Sequence, residues 1–287
     1  MKIDKHIGII GSGFVGNAVR YGFSPNVGVD AKIRVYDKNP SKSLHTLEEV
    51  VIESDIIFLS VPTPSNKDGT INVDIVDEAL NDMNVYAASV DNIILLRSTA
   101  IPGTTRKLQE KYPNLRIVFN PEFLTERSAN QDFINQTRFI LGGASDDTRE
   151  VSDLFRERFG HSISIVETNY ETAELIKYMT NTFFATKISF LNDMKLLSDK
   201  CGAIWEHTLE GFVRDGRIGH SHLNVPGHDG KYGFGGSCFP KDIQALIKCG
   251  DEFGVDMSVL KGSWKTNLKV RPERDWEQLK GRAVVDE

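Results

Sequence analysis

The chain has 287 residues, 40% of them hydrophobic, enough for one large packed domain or two ordinary ones. Its 34 basic and 40 acidic residues leave a net charge of −6 with no basic block, which argues against a nucleic-acid partner but not against an anionic substrate in a locally positive pocket. Three cysteines without a CxxC or His–Cys cluster indicate neither a disulfide framework nor a metal site, no apolar run approaches the roughly 20 residues of a membrane span, and no signal architecture precedes the first strand, so the expectation is a cytoplasmic protein without membrane contact.

Residues 5–10 read as a short apolar strand, 17–23 as a helix, 32–36 as a strand, 46–53 as a short helix and 55–61 as a third strand. The alternation continues with helix 73–85, strand 92–97, helix 104–111, strand 115–119, strand 138–141, helix 147–159 and strand 162–166. Apolar strands alternating with helices predict an α/β fold, a Rossmann-like doubly wound parallel sheet covered on both faces. After residue 167 the pattern changes. Residues 171 to about 210 read as one or two long helices, and the looser stretch 211–237 holds eight of the 24 glycines. Helices near 243–252 and 258–268 follow, and the charged tail 271–287 is expected to pack only in part. The expected division is a cofactor-binding domain over 1–168 and a helical domain with a long central helix over 169–287.

The segment IGIIGSGFVGNAV places Gly11, Gly13 and Gly16 in G-x-G-x-x-G spacing, with Phe14 and Val15 inside it. The pattern carries weight because it follows a strand and opens a helix. Asp37 ends the second strand, 21 residues after Gly16. An acid there accepts from ribose hydroxyls and repels a 2′-phosphate, which favours NAD over NADP. The segments VPTP, RSTAIPGTT and NPEFLTE follow the third, fourth and fifth strands. They leave the carboxyl ends of parallel strands, where open α/β sheets bind ligands, and Glu122 and Glu126 are the acid–base candidates among them.

In the long helix Glu174, Lys177 and Asn181 share one polar stripe among apolar neighbours, facing a pocket, a partner or solvent. In GFGGSCFPKD, Cys238 follows a glycine pair and precedes a helix start. Pro240 suits the first helical turn, and Asp242 complements the helix dipole there. A thiol in that place, next to Lys241, is either a nucleophile or a structural cysteine.

The segments GSGFVG, VPTP, STAIPGT, NPEFLTERSA, KYMTNTFFATKISFLND and GFGGSCFPKD stand in this order. Together they closely resemble the UDP-glucose/GDP-mannose dehydrogenase family, over about residues 6–268. The resemblance implies a four-electron oxidation of a nucleotide-sugar C6 alcohol to a carboxylate, with two NAD+ consumed and UDP-glucose as the first substrate to test. It implies that Cys238 is the catalytic thiol, and that Lys177 and Asp242 stand near the proton acceptor. It further implies that Lys177 and Asn181 hold an oxyanion, and that Glu122, Glu126 and Asp242 assist hydrolysis. Thr99 is placed by cofactor and water. Lys42, Thr63, Thr99, Glu126 and Lys241 match positions near NAD. Glu122, Phe123, Leu124, Lys177, Asn181, Leu223, Asn224 and Gly235 match positions near the substrate. Arg217, in DGRIGHSHLN, matches an arginine that reaches a neighbouring subunit's substrate, which implies a homodimer built around the long helix.

Family members typically continue for roughly a hundred residues or more into a further domain. Here the chain ends at GRAVVDE, so a short form lacking the C-terminal UDP-binding domain is expected. Thr125 stands where arginine is common, and GHDGKY before the thiol loop has the character of an insertion. A GDP-mannose or UDP-N-acetylhexosamine enzyme shares the same constellation. A single-step hydroxyacid-type dehydrogenase needs no Cys238, and a sugar-nucleotide binder needs no turnover.

Overall fold

In the computed structural model, which describes residues 1–285, seven strands form one sheet. They are β1 (Ile7–Ile10), β2 (Ile33–Tyr36), β3 (Ile56–Leu59), β4 (Ile93–Leu96), β5 (Arg116–Phe119), β6 (Arg138–Gly142) and β7 (Ser164–Thr168), in the spatial order β2-β1-β3-β4-β5-β6-β7. The ten helices of the described residues are α1 (Phe14–Gly22), α2 (Leu47–Ile52), α3 (Asp74–Asn84), α4 (Thr104–Lys111), α5 (Ala129–Ile134), α6 (Ser145–Phe159), α7 (Tyr170–Cys201), α8 (Trp205–Val213), α9 (Phe239–Glu252) and α10 (Ser258–Val270).

Side-chain alternation divides the sheet's apolar residues between two cores. Ile56, Phe58, Ile93, Leu95 and Val118 pack with Val19 of α1, Phe133 of α5 and Phe155 of α6. Ile57, Leu59, Ile94, Leu96 and Ile117 pack with Val50 of α2, Leu80 of α3 and Leu108 of α4. Both faces are dry, which is why these strands read as continuous apolar runs.

The expected all-parallel sheet needs one correction: β5 and β6 pair antiparallel, through Phe119 and Gly142. A parallel return needs a helix long enough to carry the chain back along the sheet. Between β5 and β6 stands only α5, which was not expected from the sequence; its six residues span about 9 Å. The chain comes to β6 through residues 120–137, without a helix long enough to return it along the sheet. The 15-residue α6 does make the return, and β7 is parallel to β6.

Helix starts also differ from expectation. α1 begins at Phe14 and α9 at Phe239, both earlier than the apolar periodicity suggests, because Gly13 and Cys238 occupy the capping positions. α2 carries a full capping box, with Thr46 Oγ1 accepting from the Glu49 N–H and Glu49 accepting from the Thr46 N–H.

The chain divides into two compact units. The first is Met1–Thr63 with Val73–Lys177; the second is Pro64–Asn72 with Tyr178–Glu287. The division into compact units falls inside α7, and the loop after VPT goes with the second unit. Within that unit the tail packs more fully than its charge suggests. Trp276 and Ala283 are buried, with the Trp276 ring 5.3 Å from that of Trp264. Ser65 N–H donates to Ala283 O (3.0 Å) and Val285 N–H to Ser65 O (3.0 Å). Arg271 is buried between Asp229 and the half-buried Asp275, each at 2.6 Å, while Glu273, Arg274, Glu277, Lys280 and Arg282 are exposed. Asp229 belongs to the GHDGKY segment, so this segment and the tail clasp each other.

Candidate active site

The turn from β1 into α1 builds the nucleotide cradle of the first unit. Gly11 has φ +91°, and a Cβ there would stand 2.3 Å from the carbonyl oxygen of Ser60. A Cβ on Gly16 would stand 2.0 Å from the carbonyl oxygen of Gly11. Only at Gly13 would a Cβ meet nothing within 4 Å; it faces the open space at the first turn of α1. An open approach to a helix N-terminus is what a pyrophosphate needs. Asp37 closes the cradle, accepting from the Ser12 N–H (2.7 Å) and the Asn39 N–H (2.8 Å). The residues present therefore fit a dinucleotide. Phe14 and Val15 form the first turn of α1, and Lys42 ends an exposed one-turn helix after Asn39. Thr63 is buried and Thr99 half-buried. Their loops are joined by Ser98, whose hydroxyl donates to Val61 O (2.7 Å) and accepts from Val61 N–H (3.0 Å).

Also in the first unit, the expected pairing of Glu122 with Lys177 takes a definite form. Both are buried. Lys177 Nζ donates to Glu122 Oε1 (2.9 Å) and to Glu122 O (2.5 Å), while Glu122 Oε2 accepts from the Leu124 N–H (2.7 Å). The Phe123 ring carries Lys177 Nζ at 5.4 Å and the Arg138 guanidinium at 4.8 Å. Leu124 is buried, whereas Glu126 is exposed in the turn Glu126–Ser128. The two glutamates thus have different surroundings.

The polar stripe of α7 does not act as one group. Glu174 caps α4, accepting from the Gly103 N–H (2.7 Å), the Thr105 N–H (2.7 Å) and the Thr105 hydroxyl (2.6 Å). Burial pushes its carboxyl up to about 7 against the pull of these bonds. Lys177 pairs with Glu122, and Asn181 makes its contact in the second unit.

There Asn181 Nδ2 donates to Asp242 Oδ2 (2.6 Å), and Lys241 Nζ donates to Asp242 Oδ1 (2.6 Å). All three are buried. Lys241, expected beside the cofactor, directs its ammonium to Asp242. Asp242 lies in the first turn of α9, with Cys238 as N-cap accepting the Asp242 N–H at its carbonyl (2.9 Å). Cys238 is half-buried, its sulfur 3.8 Å from the Ser237 hydroxyl. The thiol therefore sits at the positive end of a helix, one turn from a carboxylate.

Three residues that sequence reasoning missed hold the thiol loop. Asn192 of α7 accepts from the Gly233 N–H (3.0 Å). Asn267 of α10 accepts from the Phe234 N–H (2.7 Å) and donates to Phe234 O (3.0 Å). Asp275 accepts from the Gly236 N–H (3.3 Å). A Cβ on Gly235 would lie 2.6 Å from Arg271 Nη2 and from Asp275, so the loop's glycines serve its own packing as well as access. The one available signal was polar residues at apolar helix positions, Asn192 and Asn267.

The segment with Arg217, Leu223 and Asn224 is tied to α7 by Lys187, which donates to Gly219 O (2.6 Å) and Ser221 O (2.7 Å). Arg217 is exposed and pairs with Asp215, Nε to Oδ1 at 2.9 Å. Leu223 is half-buried and packs near the Leu191–Trp205–Val225 cluster; Asn224 is exposed.

Among the described residues no group of three or more His, Cys, Asp or Glu could hold a metal, and no helix is long and apolar enough to cross a membrane.

Residues 41–159 match the NAD-binding domain of the UDP-glucose/GDP-mannose dehydrogenase family, and residues 171–269 match its central domain. A UDP-glucose 6-dehydrogenase of Rickettsia typhi is 35% identical over 223 residues, covering 76% of this chain and 50% of the relative. The chain thus spans about half the length of that relative. The UDP-glucose 6-dehydrogenase AglM of Haloferax volcanii is 30% identical over 321 residues, covering 98% of this chain and 73% of the relative. The solved UDP-glucose dehydrogenase of Pyrobaculum islandicum superposes with a TM-score of 0.81 at 27% identity, over 96% of this chain and 70% of that one.

Proposed function

Because this chain belongs to the UDP-glucose/GDP-mannose dehydrogenase family, we propose that it oxidises the C6 alcohol of a nucleotide sugar, UDP-glucose foremost, to the carboxylate. The observation that carries the reading is the thiol of Cys238, the N-cap residue of α9, one turn from a buried Asp242 whose two oxygens are held by Lys241 and Asn181. A binder or a single-step dehydrogenase needs no such thiol.

NAD+, when bound, accepts a hydride at each of two oxidations, alcohol to aldehyde and thiohemiacetal to thioester. Gly13 would hold the pyrophosphate and Asp37 the ribose. Asp242, directly or through water, takes the hydroxyl proton of the first oxidation, with the Lys177 ammonium near that acceptor. The Cys238 sulfur then bonds to the aldehyde carbon, and its proton ends on the former carbonyl oxygen. At the second oxidation that oxygen gives up its proton to water, and Lys177 and Asn181 stabilise it while it is negative. In the last step water adds to the thioester carbon, the C–S bond breaks, and Cys238 regains its proton. Asp242 and the glutamates, Glu122 foremost, position that water. Thr99 stands beside cofactor and water, and Phe123, Leu124, Leu223, Asn224 and Gly235 shape the sugar-nucleotide's surroundings.

The working form in this proposal is a homodimer built on α7, with Arg217 offered to the neighbour's substrate. In its support, Met179, Phe183, Phe190, Met194 and Leu197 form an exposed apolar stripe along the second-unit part of α7.

The test is a count of NADH formed per UDP-glucose consumed, with Cys238→Ser beside the wild type. Two NADH per sugar, and loss of complete turnover in the variant, are expected. One NADH per sugar would replace the reading by a single-step oxidation. None with UDP-glucose, but turnover with GDP-mannose or a UDP-N-acetylhexosamine, would move the substrate within the family. Binding without turnover of any of them would leave a sugar-nucleotide binder.

A further inference from the structure

The most unusual buried group of the first unit has no part in that chemistry. Arg97 directly follows β4 and is 2% exposed. Its guanidinium lies over the rings of Phe58 and Phe133, at 5.9 and 5.8 Å. Nη1 donates to Asn120 Oδ1, while Nε and Nη2 have no hydrogen-bond partner among the described residues. A cation so far from water and so incompletely paired is costly, and a core needing only volume would hold an apolar side chain there.

What Arg97 touches gives it a purpose. Asn120 is fully buried at the end of β5; its N–H donates to Leu96 O (2.9 Å) and its Nδ2 to Ile140 O of β6 (2.9 Å). Its carboxamide thus bridges β4 and β6 at the one place where the sheet reverses direction, a junction of a single residue pair. An amide can face either way. Arg97 can only donate, so it fixes the oxygen toward β4 and leaves the nitrogen for β6. Two residues on, Glu122 grips Lys177 by side chain and carbonyl. Arg97 also interacts electrostatically with Glu122, which opposes the burial that brings the guanidinium down to about 10.

We propose that Arg97 is a positioning residue: through Asn120 it fixes the turn that carries Glu122, and as a second buried cation near that carboxylate it holds the Glu122–Lys177 pair in place. The role in turnover rests on the function proposed above; the role in holding Lys177 does not. The cradle at Gly13 and Asp37 lies on other strands, so the hold of Gly13 and Asp37 on the cofactor is spared.

Two variants test this. Arg97→Lys keeps the charge and loses the planar fork, and Arg97→Met keeps the length and loses the charge. Two quantities are read. One is the rate of Lys177 acetylation by acetic anhydride, followed by peptide mass spectrometry against surface Lys107. The other is kcat beside the KM for NAD+. In Arg97→Met, Lys177 labelling should rise about tenfold and kcat fall about 100-fold, with the KM for NAD+ within about twofold of wild type. Arg97→Lys should lie between the two, and it decides alone if Arg97→Met does not fold. A folded variant with Lys177 labelling and kcat within about twofold of wild type would overturn the proposal. So would a KM for NAD+ that deteriorates in step with kcat, which marks general loosening. If the wild type shows no turnover, the functional reading fails, and Lys177 labelling still decides for or against Arg97.

Discussion

Lys177, Glu122, Asn181 and Asp242 are buried polar residues whose hydrogen bonds make burial tolerable, and Glu174 is the one whose ionisation should show in stability. Its carboxyl is raised to about 7 by burial. An acid whose native pKa lies above its unfolded value of about 4.3 holds its proton more tightly when folded. The contribution to stability is then complete below pH ~4.3 and is lost as pH rises through about 7. Glu174→Gln cannot ionise and lacks this dependence. Between pH 5 and 8 the wild type should lose on the order of 3 kcal/mol relative to the variant, read from urea unfolding of both across that range. Parallel curves would contradict the assignment. Neither this cap nor the Arg97–Asn120 contact was legible in the sequence. Glu174 reads as one member of a stripe, and nothing local says that its partner lies some 70 residues earlier, at Gly103 and Thr105.

At the scale of elements the pattern was much more informative. Strands buried on both faces announce themselves as apolar runs, and α4 begins and ends where its sequence suggests. The errors sit at short or special elements. α5 is too short for a period to show, and the starts of α1 and α9 are set by Gly13 and Cys238 rather than by apolar spacing. The glycine turn gives a prediction of this scale. Gly13→Ala meets open space at an ordinary backbone angle, so its Tm should stay within about 2 °C while the Kd for NAD rises about tenfold or more. Gly11→Ala must accept φ +91° and a 2.3 Å approach to a carbonyl, and should lose about 3 kcal/mol or more of stability. Calorimetry of NAD binding beside thermal unfolding separates the two.

At the scale of the whole molecule, the second unit combines the tail, the thiol loop and most of α7. Its exposed apolar stripe is where the proposed dimer would bury surface. Sedimentation should give a mass near twice 32.1 kDa for the wild type. A Phe183→Glu/Phe190→Glu variant should run as a monomer with its far-UV spectrum unchanged. A monomeric wild type would remove the dimer from the proposal and leave the cofactor cradle untouched.

The sequence by itself determined the alternation of strands and helices, the cofactor cradle, and the identity of the thiol, carboxylate and lysine candidates. All of these are written in residues close along the chain, where spacing and periodicity carry the information. Only the tertiary structure decided that the sheet reverses at β6, that the charged tail packs, that Glu174 caps α4 while Lys177 holds Glu122, and that Arg97 is buried against Asn120. Each joins residues far apart in sequence. Their partners are chosen by which buried donors and acceptors would otherwise go unsatisfied, and that competition exists only once the chain has folded.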